Sequence, residues 1–213
     1  MLSFLPDPGT LAPFLVAALA LNLTPGADMA YVIARAAGQG RAAGISSSFG
    51  IAAGSFLHSL LAAIGLSAIL LHSEAAFQAI KYAGAAYLLY LAWKAVRDTG
   101  DARAGATRAP AGLWRIFFAG LLTNLLNPKV ALFIMAFLPQ FVAPARGNVA
   151  GQILFLGLLF NVGGTTVNLI VTQSIATAGR FVKASPRFGR LMQRLSALVF
   201  VGLALRLALS ERT

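Results

Sequence analysis

Two interrupted apolar runs hold the polar residues best suited to bind a small ligand. The first reads LNLTPGADMAYV (21–32) and the second reads TNLLNPK (123–129). Each run combines a proline, asparagine side chains and one ionisable group within an otherwise apolar segment. The candidate binding residues are Asn22, Thr24, Pro25, Gly26 and Asp28 in the first run, and Asn124, Asn127, Pro128 and Lys129 in the second.

This combination predicts a site for a zwitterion. A proline removes a backbone donor and breaks a helix, so a new half-helix begins after each break. Its N-terminus has free amide donors and a partial positive charge, which suit a carboxylate. Lys129 would add a full positive charge, whereas Asp28 could hold an ammonium group or a proton that competes with it. An amino acid is the simplest cargo.

The placement of the charges supports a functional role for Asp28. Of the six acidic residues, Asp28 alone lies inside a long apolar segment. A charge at the centre of a bilayer costs at least about 2.5–3.5 kcal/mol, and such residues are usually functional. A purely structural alternative remains open, in which Asp28 and Lys129 form an ion pair that holds two parts of the chain together.

The composition indicates an integral membrane protein. The chain has 213 residues, of which 58% are hydrophobic and only 11% charged, and its mean hydropathy is +0.78. A soluble domain has about 25% charged residues, and a membrane-spanning helix needs roughly 20 mainly apolar residues. The sequence therefore predicts an all-α protein with six transmembrane helices, at about 11–34, 43–71, 75–96, 114–141, 149–176 and 191–209.

The net charge of +11 arises mostly from three connections between these spans. The connections after the first, third and fifth spans hold twelve of the seventeen basic residues, beginning with Arg35 and Arg41. Cytoplasmic loops are enriched in Lys and Arg, so these connections should face the cytoplasm and both termini should face outward. No basic groove with interleaved aromatic residues is evident, and the pattern does not predict a nucleic-acid partner.

The two halves of the chain share a pattern. Spans 1 and 4 are both interrupted midway, and spans 2 and 5 are both rich in small and weakly polar residues. Three spans per half require opposite orientations, which predicts a 3+3 inverted repeat with broken helices 1 and 4 and a site near the membrane midplane. The single transporter domain, 1–213, would comprise half-repeats at about 11–96 and 114–209 joined by a cytoplasmic loop, 97–113. Asn161 and Asn168 in span 5 could line the cavity or could join helices.

Other functions are less well supported by the sequence. Ser55 and His58 could imitate a Ser-His pair of a membrane-embedded enzyme, but no G-x-S-x-G motif or nearby orienting carboxylate accompanies them. A cation exporter would need several oxygen ligands, and only one acidic residue lies at depth. The sequence predicts no metal site, no cofactor and no catalytic residue. Stripes of small residues, including Gly50 and Gly54, could pack helices within one chain or between chains, so a homo-oligomer stays open.

The two interrupted segments resemble those of the LysE/RhtB family of amino-acid exporters, particularly its homoserine, threonine and leucine branch. The resemblance covers nearly the whole chain and rests on LTPGADMAYV, on GQGRAAGISSSFGIAAGSFLHSLLAAIGLSAIL and on LLTNLLNPKVALFIMAFLPQFV. It implies amino-acid efflux across the inner membrane driven by the proton motive force. The family motif carries over to Pro25, Gly26 and Asp28 and to Asn124, Asn127, Pro128 and Lys129. Ala27 stands where the family commonly has a second proline.

Overall fold

The fold is helical throughout the part of the chain that the computed structural model describes. The described residues are 6, 8–72, 74–97, 111–178 and, near the C-terminus, 194–195, 197–202 and 204–205, and they include no β-strand. Most of the predicted loop 97–113 and part of the predicted sixth span 191–209 lie outside them. The helices are α1 (Pro8–Leu23), α2 (Ala27–Gln39), α3 (Arg41–His72), α4 (Glu74–Arg97), α5 (Leu113–Leu125), α6 (Pro128–Leu132) and α7 (Val149–Ala178).

Between two and four of these elements can cross a membrane. Arg41–Gly65 and Val149–Thr177 are each long and apolar enough to span it alone, and the two bent pairs α1–α2 and α5–α6 qualify if each pair is one span. Helix α4 is long enough but less apolar. Near the C-terminus, the described residues between 194 and 205 are helical. A helical membrane protein is therefore supported, while the count of six spans remains a prediction.

Both interruptions predicted from the sequence occur in the structure. Helix α1 ends at Leu23 and α2 begins at Ala27, with a bend of 51° between them. Helix α5 ends at Leu125, and the segment that begins at Pro128 makes an angle of 51° with it as well. Beyond α6 this second segment continues as a π-helical turn (Phe133–Phe137) and a 3₁₀ turn (Leu138–Phe141). The predicted fourth span is therefore a bent helical segment, and its second part changes from α-helical to π-helical and then to 3₁₀ geometry.

The connection between the first two spans differs from the prediction. We expected Arg35 in a loop, but α2 continues to Gln39, and Arg35 is buried on it. Gly40 alone separates α2 from α3, and its φ of +83° allows the sharp change of direction, which glycine tolerates without a steric penalty. The chain therefore needs no extended loop here.

Large apolar side chains form both the core and the outer surface. Phe133 is central to the core: its ring lies 4.8 Å from that of Phe137 and 5.0 Å from that of Phe160 on α7. On the outside, Ile64 is 70% exposed and Leu126 is 73% exposed. A soluble monomer rarely exposes contiguous apolar patches, and these faces suit a lipid environment.

Glycines on one face of α3 allow α5 to approach closely. A Cβ atom at Gly50 would lie 2.1 Å from the backbone oxygen of Phe117, and one at Gly54 would lie 2.8 Å from that of Leu121. On the facing helix, a Cβ atom at Gly120 would lie 2.9 Å from the backbone oxygen of Ser47. These small residues therefore pack helices within one chain, as such residues do between membrane helices.

Replacing Gly50 with alanine should separate α3 from α5. The added methyl group meets backbone that cannot rotate away, and overpacking of this kind costs about 1–3 kcal/mol. For a protein of this size, we expect the melting temperature in detergent to fall by roughly 5 °C. Light-scattering or fluorescence melting curves measure this change.

Gly65→Ala is the matched control, because Gly65 lies on the same helix and no atom of the described residues lies within 4 Å of a Cβ atom there. Alanine favours helix, so this variant should melt at the wild-type temperature or slightly above it. Equal melting temperatures for the two variants would contradict the close packing.

Candidate functional site

The first break leaves carbonyl groups without helical partners. The hydroxyl of Thr24 donates to the oxygen of Ala20 at 2.6 Å. The oxygen of Leu21 accepts hydrogen bonds from the N–H of Thr24 at 3.2 Å and from Lys129 Nζ at 2.7 Å, and the oxygen of Thr24 accepts one from Lys129 Nζ at 2.7 Å. A cation at a helix C-terminus stabilises both the unpaired carbonyls and the helix dipole. Lys129 therefore caps the end of α1 from the other half of the chain.

The second break is capped locally. Asn127 precedes α6, and its Oδ1 accepts a hydrogen bond from the backbone N–H of Lys129 at 3.1 Å. Pro128 occupies the first turn of α6, where its missing N–H has no helical partner to lose. By contrast, no side chain caps the N-terminus of α2 at Gly26. The two half-helix starts, which we expected to be alike, differ: the first has no side-chain cap and the second is capped by Asn127.

Asp28 is held by an amide and not by the lysine. Its Oδ2 accepts a hydrogen bond from Asn124 Nδ2 at 2.7 Å, the side chain of Asn127 also lies close to the carboxylate, and Oδ1 is buried without a hydrogen-bond partner among the described residues. Of the residues that the structure describes, none forms an ion pair with Asp28. The direct Asp28–Lys129 pair that the sequence left open is therefore not formed, because Lys129 is engaged with α1.

A cavity of about 50 Å³ lies where the two breaks meet, with room for a few water molecules. Nine of the eleven predicted site residues line it, and the exceptions are Pro25 and Pro128, which form the breaks. The lining residues from the prediction are Asn22, Thr24, Gly26, Asp28, Asn124, Asn127, Lys129, Asn161 and Asn168.

Helix α7 contributes the wall opposite the breaks. Asn22 Nδ2 donates to the oxygen of Phe160 at 3.2 Å, and Asn161 Nδ2 donates to the oxygen of Ala52 at 2.7 Å. Thr165 donates to Asn161 Oδ1 at 3.1 Å. Asn22 and Asn161 therefore join helices as well as lining the cavity. Asn168 also lines the cavity and is buried.

Ser55 was not among the predicted binding residues, yet it lines the cavity. Its hydroxyl is buried without a partner, while His58 Nε2 lies 3.3 Å from the backbone oxygen of Asn124. The Ser-His hydrogen bond of the enzymatic alternative is therefore not formed. The sequence indicated Ser55 only as half of a possible Ser-His pair, and it shares its weakly polar neighbourhood with several other serines.

The fold and the cavity define a helical membrane protein with two broken helices whose interruptions enclose a polar site. Residues 19–211 match the model of the LysE type translocator family, and the chain belongs to that family. No solved structure matches it significantly.

Several bacterial proteins resemble the chain over most of its length. An uncharacterized membrane protein of Vibrio cholerae is 30% identical, over 93% of this chain and 96% of its own. A homoserine/homoserine lactone efflux protein of Salmonella typhimurium is 29% identical, over 80% of this chain and 81% of the relative. A leucine efflux protein of Enterobacter sp. (strain 638) is 27% identical, with 92% and 93% covered. The family is one of translocators, and two of these three relatives are named as efflux proteins.

Removing the Lys129 cap should destabilise the protein. Lys129→Met keeps an apolar stem but leaves the oxygen of Thr24 without its donor and that of Leu21 with only the N–H of Thr24, at a cost of about 1–3 kcal/mol for a buried group left unpaired. We expect the melting temperature to fall by roughly 5–10 °C. Lys94→Met, at an exposed position on α4, is the matched control and should melt close to the wild type. Equal melting temperatures of the two variants would show that the Lys129 cap contributes nothing to stability.

Proposed function

We propose that this protein is a secondary active exporter of amino acids or their derivatives, coupled to protons. The cargo class is neutral or hydroxylated amino acids, such as homoserine, threonine and leucine. Support comes from membership of the translocator family, from relatives named as homoserine/homoserine lactone and leucine efflux proteins, and from a cavity with both acidic and amide groups.

The unpaired carboxylate of Asp28 is the observation that carries this proposal. It is the one acidic side chain that lines the cavity, and one of its oxygens has no partner among the described residues. Asp28 would hold the cargo's ammonium group or a proton, but not both, and this competition would couple export to proton entry. The cargo's carboxylate would face the uncapped start of α2, beside Lys129. A Cβ atom built at Gly26 would lie 3.6 Å from Lys129 Nζ, which places the cation at that position.

The proposed architecture is six transmembrane helices arranged as a 3+3 inverted repeat. The equal bends of the two broken pairs and their meeting at one cavity support it. The distribution of basic residues favours an inner-membrane protein with a cytoplasmic central loop and both termini outside. Alternating access would then rock the half-repeats around the cavity. Assembly into a homo-oligomer remains compatible with this arrangement.

Two other functions are less favoured. A membrane-embedded enzyme using Ser55 and His58 would need a hydrogen bond between them, and the hydroxyl of Ser55 has no such partner. A metal exporter would need several strong ligands, and the described residues include no group of three or more His, Cys, Asp or Glu side chains that could hold a metal ion.

Asp28→Asn should abolish net export. The amide keeps the size of the side chain but can neither neutralise an ammonium group nor carry a proton, so we expect at least a tenfold lower efflux. Cells loaded with homoserine- or leucine-containing dipeptides provide the assay, and efflux is followed by amino-acid analysis of the medium.

Proteoliposomes with an acidic lumen should accumulate the cargo, whereas those at equal pH should not.

Asp98→Asn is the control for charge, since Asp98 is predicted to lie in the central loop. It should export like the wild type, and membrane levels of both variants should be compared by immunoblotting. Undiminished efflux by Asp28→Asn would remove the proposed site. Accumulation that ignores the pH gradient would remove the proton as the coupling ion.

A further inference from the structure

We propose that Ser55 and Asn124 complete a three-oxygen site with Asp28, and that this site selects cargo with a primary ammonium group. The inference rests on the proposed function and specifies its substrate class. Three residues that line the cavity each have a buried side-chain oxygen without a hydrogen-bond partner among the described residues: Asp28 Oδ1, Ser55 Oγ and Asn124 Oδ1. They come from α2, α3 and α5, so both halves of the chain contribute.

The orientation of the Asn124 amide is set by its neighbour. Its Nδ2 donates to Asp28 Oδ2 at 2.7 Å. An ionised carboxylate can only accept hydrogen bonds, so the amide nitrogen must face Asp28 and the amide oxygen must point elsewhere. With Asn124 only 1% exposed, that oxygen has no access to solvent, and it needs a donor within the protein or the cavity.

Ser55 behaves differently from the other buried serines of α3. Ser47, Ser48 and Ser59 each donate to the backbone oxygen four residues earlier, at 2.8, 2.9 and 3.1 Å. This local bond is the usual solution for a serine inside a helix. Ser55 is only 5% exposed and does not make it. Its hydroxyl is therefore available to the cavity.

Close packing of α3 against α5 places Asn124 against the backbone of α3 next to Ser55. A Cβ atom at Gly54 would lie 2.9 Å from Asn124 Cβ and 3.0 Å from Asn124 Oδ1. Because position 54 is glycine, the neighbouring Ser55 can share the cavity with Asn124. Lys129 directs two of its three N–H donors to the end of α1, so at most one is left for the three oxygens.

Three acceptors and one negative charge match a primary ammonium group. Such a group has three N–H donors and no acceptor. Water can occupy the three oxygens between transport cycles, but an ammonium group makes charge-assisted bonds that are about twice as strong. Each methyl group added to the nitrogen removes one donor while keeping the charge, so methylation isolates the contribution of donor number from that of charge.

The test is competition by N-methylated cargo in proteoliposomes. Labelled L-homoserine or L-leucine, whichever the wild type transports faster, competes with the primary, N-methyl, N,N-dimethyl and N,N,N-trimethyl forms of the same amino acid. We expect the inhibitory concentration to rise with each methyl group, by a hundredfold or more over the series. Equal inhibition by the primary and trimethyl forms would overturn the inference, and this arm needs no variant.

Ser55→Ala should raise the inhibitory concentration of the primary form roughly tenfold, because one hydrogen bond to a charged group is lost. In this variant the first methyl group should raise the inhibitory concentration only slightly, because the acceptor for one N–H is already gone. Ser48→Ala removes a buried hydroxyl that is bonded within α3, and it should behave like the wild type. Indistinguishable results for the two variants would overturn the inference.

Two further outcomes separate the alternatives. If transport requires sodium and Ser55→Ala weakens the sodium dependence, the oxygens bind a metal ion and the ammonium site is wrong. If Asp28→Asn stops transport while Ser55→Ala does not affect methyl discrimination, the proposed function stands and only this inference fails. If Asp28→Asn leaves transport intact, or if neither amino acid is transported, both fail.

Discussion

The contact between Lys129 and the end of α1 is the constraint on which the site depends. A helix that stops inside a membrane leaves carbonyl groups that lipid cannot satisfy, and each unsatisfied group costs several kcal/mol. Lys129 supplies donors to the oxygens of Leu21 and Thr24 from 105 to 108 residues away. This contact joins the two breaks. It also engages the cation at α1, and the second oxygen of the Asp28 carboxylate has no hydrogen-bond partner among the described residues.

The polar residues around the cavity fall into two groups with different roles. Asn22, Thr24 and Asn161 use their side chains to bond backbone oxygens, which fixes the helices around the site. Asp28 and Ser55 instead keep unpaired oxygens at the cavity. A cavity of about 50 Å³ holds only a few water molecules, so binding an amino acid requires the surrounding helices to move apart. The two bends supply places where such movement can occur.

Much of this arrangement could be predicted from the sequence, because proline, charge and length act locally. The breaks follow from Pro25 and Pro128 within apolar runs, and the helix ends agree with the predicted spans to within a few residues for most helices. Partners distant in the chain could not be predicted. The pattern around Lys129 gave no indication that it bonds α1, and Ser55 differs from neighbouring serines only in a missing local hydrogen bond. Arg35 was misplaced because one glycine sufficed where a loop was expected.

A cryo-electron microscopy structure of the protein in lipid nanodiscs, with bound homoserine or leucine, would locate the charges. The ammonium nitrogen should lie within about 3 Å of Asp28 Oδ1, and Lys129 Nζ should remain within hydrogen-bonding distance of the Leu21 and Thr24 oxygens. An ion pair between Asp28 and Lys129, with the cargo bound elsewhere, would contradict the separation of charges on which this site is built.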